Sequence, residues 1–217
     1  MTIEAKRIEK TNQERFQLAQ QWGWQFQPEA PQYADAWQVL PFTQRGDQRI
    51  AFGVVNGQFN GVPFLTFDFH RRPKVTHYHD AWTDRELSSR DTVTIDTVWA
   101  VKLPMPMPFF QVASSIDPAF DVDPYPEPQT PDGKFNRWYK LIDTDPNIAA
   151  YYLHPQLMKL MRDAKLHTWA VVGDDLLFME HPIFGRTKPD EIVETLGKLL
   201  QLVNLFPFQA FANGPQR

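Results

Sequence analysis

The sequence predicts an α+β fold: a mainly antiparallel, twisted sheet of hairpins packed against three to four helices. Three observations carry that expectation. Asn60-Gly61 lies between two runs rich in Val and Phe, and this dipeptide readily takes the positive φ values of a tight hairpin turn. Asp145-Pro146 opens a helical stretch, and beyond Pro155 the apolar residues Leu157, Leu160 and Met161 recur at helical spacing. From Pro189 to Phe206, the side chains of Ile192, Val193, Leu196, Leu199, Leu200 and Val203 share one helix face, and Pro207 ends it.

The remaining elements follow in order. Thr11 and Glu14 have capping-box spacing, so a helix is expected from there to about Trp22, burying Phe16, Leu18 or Ala19, and Trp22, with Gly23 past its end. Gln25 to Tyr33 holds two prolines and reads as extended. In the hairpin from Arg49 to Arg72, Leu65, Phe67 and Phe69 alternate with Thr66, Asp68 and His70, giving one dry and one wetter face. Arg71 to Asp91 reads as a polar surface loop. Thr92 to Leu103 is a strand, after which Pro104, Pro106 and Pro108 impose an extended passage. Phe135 to Ile142 reads as a strand. His167 to Val172 and Leu176 to Glu180 read as a hairpin around Gly173-Asp174-Asp175. A single domain over 9–212 is expected, with the proline-rich stretch 117–133 as an excursion from it or a division into two lobes.

Composition excludes several functions. A chain of 217 residues, 42% hydrophobic and 14% aromatic, supports a substantial core, burying roughly 70% of its unfolded surface. A net charge of −4 argues against a general nucleic-acid binder, which needs a basic field. With no Cys there is no disulfide, thiolate metal site or Cys nucleophile, which fits a reducing cytoplasm. The N-terminal MTIEAKRIEK lacks an apolar signal region, and no apolar run approaches the roughly 20 residues that span a bilayer.

Several residues recur together in an order met elsewhere: Gly23-Trp24-Gln25-Phe26, Pro41-Phe42, Gly57 through Phe64, Leu103-Pro104, Met107-Pro108 and Phe135 through Pro155. Most specific are Asp145-Pro146, Ala150 and Leu153-His154-Pro155 ahead of an amphipathic helix, with Gly173-Asp174 after it. Over about residues 15 to 208 the chain resembles a family of uncharacterised bacterial proteins, mostly actinobacterial, that carry a domain of unknown function. Members are frequently membrane-anchored, so the resemblance implies a role near the cytoplasmic membrane. It brings no catalytic residue with it, and this chain differs in showing no membrane helix.

Chemistry-bearing residues are few. His77, His79 and Asp80, with His70 nearby, form the best metal candidate, of a type suited to zinc or another divalent ion; otherwise no cofactor is expected. Asp143 with Asp145, and Asp174 with Asp175, sit where turns are expected, and turn-making explains them. No serine lies in a nucleophile elbow, and no glycine-rich phosphate loop is present. Tyr78 and Trp82, flanked by Arg71 and Arg72, are the expected partner-binding residues, while Trp22, Trp24 and Trp37 are expected mostly in the core. The leading expectation is a non-enzymatic interaction or scaffold protein, cytoplasmic or peripheral to the inner face of the membrane. It would bind a protein partner, a membrane protein among the candidates, or pair with a second copy through a sheet edge. The competing expectation is a metal-dependent enzyme or small-molecule binder using His70, His77, His79 and Asp80.

Overall fold

A computed structural model describes residues 3–43, 46–73, 77–80, 85–88, 94–117, 125–181 and 187–212. Its main sheet is antiparallel and six-stranded, as the α+β expectation requires. β1 (Gln25–Glu29), β2 (Gly46–Phe59) and β3 (Val62–Pro73) lie side by side, with Asn60 at φ 51° and Gly61 at φ 80° making the expected turn. The former surface loop contains a separate two-stranded hairpin, β4 (His77–Asp80) and β5 (Arg85–Ser88). β6 (Thr94–Ser114) pairs with β3 through its first half, with β7 (Tyr139–Leu141) through its last three residues, and with β8 (Trp169–Glu180) along most of its length. Strands from both sides of the 117–133 stretch therefore share one sheet.

The pairing of β6 with β8 overturns two expectations at once. Between Lys102↔Asp175 and Met107↔Gly173, β6 advances five residues while β8 advances two. Pro104, Pro106 and Pro108 all fall on positions with no ladder partner in β8, so their missing N–H groups cost no ladder bond. Gly173, at φ 62°, takes up the bend on the other strand, and Lys102 Nζ neutralises Asp174 and Asp175 at 2.8 and 2.9 Å. Turn residues thus make a bulge inside one continuous strand rather than a hairpin. The proline run bends a long strand instead of leaving it.

Six α-helices are found among the described residues. α1 (Ile3–Trp22) starts well before Thr11, which is buried mid-helix against Gly53 of β2. A Cβ on Gly53 would lie 3.0 Å from both Thr11 Cγ2 and Arg15 Cδ, so only glycine lets helix and strand approach this closely. α2 (Gly133–Trp138) replaces the first half of the strand expected at 135–142. Its N-cap Asp132 accepts from the amides of Lys134 and Phe135, both at 3.0 Å, and this local capping outweighs the alternation of Phe135, Tyr139 and Leu141. α3 (Pro146–Tyr152) is capped by Asp145 as expected, accepting from the Asn147 amide at 2.8 Å. His154 opens α4 (Pro155–Asp163) and ties it to the end of α5 (Pro189–Asn204) by a 2.9 Å bond from Nε2 to the Leu205 carbonyl. α6 (Phe208–Ala212) follows Pro207.

Two apolar layers sandwich the sheet. Trp99, Phe110, Tyr152, Trp169 and the buried faces of α4 and α5 form the larger one. Trp37 and Phe42, from the segment after β1, cover Phe67, Phe69, Val98 and Leu177 on the other.

Candidate functional site

Large rings reach the described surface at several places, Tyr151 beside Phe211 among them, and two of these places lie at opposite ends of the sheet order. One is a ridge where α1 meets β1, the strand at one end of the sheet order. Phe16 is 46% exposed and Trp22 44% exposed, although both were expected to be buried. The buried face of α1 carries Leu18 and Ala19, as expected, together with Thr11 and Arg15. Trp22 stacks on Trp24 with centroids 4.9 Å apart and leans on Phe59 at 5.9 Å. Phe16 meets Phe26 edge-on at 5.6 Å, and Trp24 meets Phe64 at 4.7 Å. Trp24 is fixed in turn: its Nε1 donates to the Gln58 carbonyl at 3.0 Å, and its ring covers Gly57, where a Cβ would sit 2.4 Å from the indole. The ridge is therefore a rigid ring stack with its outer members in solvent.

The other place is a hollow of about 510 Å³ beside β7, at the far end of the sheet order. Phe135 and Tyr139 stack at 4.3 Å to form its floor, while Trp138, 58% exposed, and Ile116, 75% exposed, stand at its sides. Burial pushes the Tyr139 phenol up to about 12, and burial together with Lys165 holds the His167 imidazole below its ordinary value. Both shifts favour a phenol donating to a neutral imidazole, and Tyr139 Oη lies 2.8 Å from His167 Nδ1. Asp132 pairs through Oδ2 with Arg162, its Oδ1 being taken by the two α2 amides. The Phe135 amide and then Arg162 hold this carboxylate below the usual range. Asp132, Lys134 and Arg162 also border a second, shallower hollow that includes Arg137.

The residues singled out from sequence fall elsewhere. His70 is buried in β3 at 1% exposure. Arg71, expected to face a partner, is buried too, with Nε 3.3 Å from Asp96 Oδ2. His77, Tyr78, His79 and Asp80 make up β4, but their side chains, the side chain of Arg72 and all of Trp82 lie outside the described residues. Among the described residues no three His, Asp or Glu side chains are gathered so as to hold a metal. His181, just past β8, reaches Asp96 Oδ1 through Nδ1 at 2.9 Å. The hollow was not singled out from sequence, and the ridge's Trp22 and Trp24 were expected mostly in the core. Asp132 before an apolar helix turn was the available signal for the hollow.

The chain is similar in fold to a solved mycobacterial protein. That structure is described as the crystal structure of the mycobacterial trehalose monomycolate transport factor A, TtfA. The likeness has a TM-score of 0.59 at 15% identity and covers 91% of this chain and 96% of that one. At such identity it shows shared architecture alone. No protein-family model and no curated protein matches the chain. The neighbour's origin agrees with the actinobacterial resemblance, and no helix among the described residues is long and apolar enough to cross a membrane.

Proposed function

We propose that this chain is a non-catalytic interaction protein that docks a protein partner, in the first instance a membrane protein, at the inner face of the cytoplasmic membrane. The observation that carries the proposal is the ridge. Large rings at solvent cost free energy unless a partner covers them, and rigid Trp side chains dominate the energetics of interfaces because little entropy is lost when they are buried. The near full-length likeness in fold to a protein named as a transport factor is compatible with a non-catalytic role.

The test is purification of the tagged chain from its native host in mild detergent, compared with Trp22→Ala and Phe16→Ala variants whose folding is checked by thermal melting. A membrane protein should co-purify with the wild type and be retained about thirtyfold less by the Trp22 variant, the size of a hot-spot loss. Equal retention by both variants removes the ridge from the proposal. Recovery of a metabolite with no protein removes the interaction role itself, and capture of the same chain alone would assign the ridge to self-association.

A further inference from the structure

We infer that the hollow beside α2 binds an amphipathic anion, an apolar body bearing one carboxylate or phosphate head. This does not rest on the proposed docking role, since the hollow lies at the β7 end of the sheet order and the ridge at the β1 end. Its volume, about 510 Å³, falls within the range of small-ligand sites, and its walls are mostly apolar with a few polar groups among them, the usual build of such sites. Phe135 and Tyr139, stacked and almost wholly buried, back the hollow, and Trp138 and Ile116 are the large apolar groups that a ligand's body would take out of water.

The sign of the head group follows from those polar groups. Arg162 and Lys134 line the hollow together with one carboxylate, Asp132. Both oxygens of that carboxylate are already engaged, Oδ1 by two backbone amides and Oδ2 by Arg162. A ligand cation would find no open carboxylate here, whereas an anion meets a net positive rim, reinforced by Arg137 in the adjoining hollow. His167, accepting from Tyr139 at Nδ1, lines the hollow as an uncharged imidazole.

The probes are dodecanoate, dodecyl phosphate and dodecyltrimethylammonium, each kept below its micelle-forming concentration and titrated by calorimetry with tryptophan fluorescence alongside. Both anions should bind one per chain, with the cation at least about tenfold weaker. Trp138→Ala should weaken the anions about tenfold through the lost apolar wall. Lys134→Gln and Arg162→Gln should each erase most of the preference for anion over cation, with the melting temperature showing that the variants remain folded. Whichever anion binds tighter names the head as a free acid or a phosphomonoester, and either supports the site. Equal binding of the three probes, or anion binding unchanged in all three variants, overturns it.

Discussion

Two acid–base clusters sit on opposite faces of the same pair of strands, and they differ in how far water reaches them. Under α1, Arg15 pairs with Asp68 of β3, each 1% exposed. Arg15 Nη1 also donates to the Gly53 carbonyl at 2.7 Å, and Thr97 Oγ1 donates to Asp68 Oδ1 at 2.9 Å. On the other face, at the strand ends, Asp96 of β6 takes Arg71 and His181, and the His181 side chain is 46% exposed. The same chemistry is a fixed structural joint in one place and a titrating surface contact in the other. Burial of Arg15 pushes its pKa down and Asp68 pulls it back, but a guanidinium starts so high that Arg15 keeps its charge at neutral pH.

The sharpest way to break that comparison is to remove one partner of the dry pair. Asp68→Ala leaves a guanidinium buried without its counter-charge and should cost about 3–5 kcal/mol in denaturant unfolding. The double variant Arg15→Met, Asp68→Leu should recover most of that loss. Arg15 Nε and Asp68 Oδ2 meet no hydrogen-bonding partner among the described residues, so the ionic pair already carries an unreturned desolvation cost. If the double variant is as unstable as Asp68→Ala, the joint contributes through packing shape rather than charge.

A smaller effect is expected where the helix rests on the strand. Gly53 holds φ at 61° and its carbonyl receives Arg15. Gly53→Ala asks for a left-handed alanine and pushes against Thr11 and Arg15 at 3.0 Å, so a loss of about 2 kcal/mol is expected. Combined with the Met/Leu double variant the loss should shrink, since methionine can yield where the anchored arginine cannot. Full additivity would show that Gly53 acts through its own backbone alone.

What the sequence disclosed and what it hid divide along the same line. Local chemistry was readable: the Asn60-Gly61 turn, the Asp145 cap, Gly23 past α1 and the stripe of α5 all stand where short-range rules put them. The alternation in β3 was readable as well, but the face carrying Thr66, Asp68 and His70 is as buried as the one carrying Phe67 and Phe69. Alternation reports polarity, not solvent, and only a partner 53 positions away explains why a charge can sit there. For the same reason α1 could not be oriented in advance: Phe16 and Trp22 look like core, yet Arg15 takes the inner face because Asp68 waits opposite. The two bent strands hid themselves differently. Prolines 104, 106 and 108 and Gly173-Asp174-Asp175 each read as breaks, and nothing local says that they lie opposite one another and bend together. The hollow escaped because its walls come from β6, α2, β7 and α4, elements whose meeting no single stretch records.

The gentlest probe of the comparison is pH, because only solvent-reached histidines answer to it. Hydrogen bonding to Asp96 raises His181 above its ordinary value; the charges of Asp96 and Asp117 add to this, while burial and Arg71 oppose it. A raised histidine contributes stability in full below its unfolded value of about 6.5, and that contribution fades as pH climbs through the folded value. His167 has the opposite sign. Burial and Lys165 lower it, so the unfolded chain takes up the proton first and stability falls as pH drops below about 6.5. Denaturant midpoints measured between about pH 5.5 and pH 8 should therefore tilt in opposite directions in the two variants. His181→Gln should lose the part of the stability that the wild type gains toward acid, whereas His167→Gln should lose the part that falls away there. The Arg15 joint should show no such slope, since a guanidinium keeps its charge across this whole range. A shared slope for all three would mean that the dry and wet clusters are coupled through β3 and β6 rather than separate.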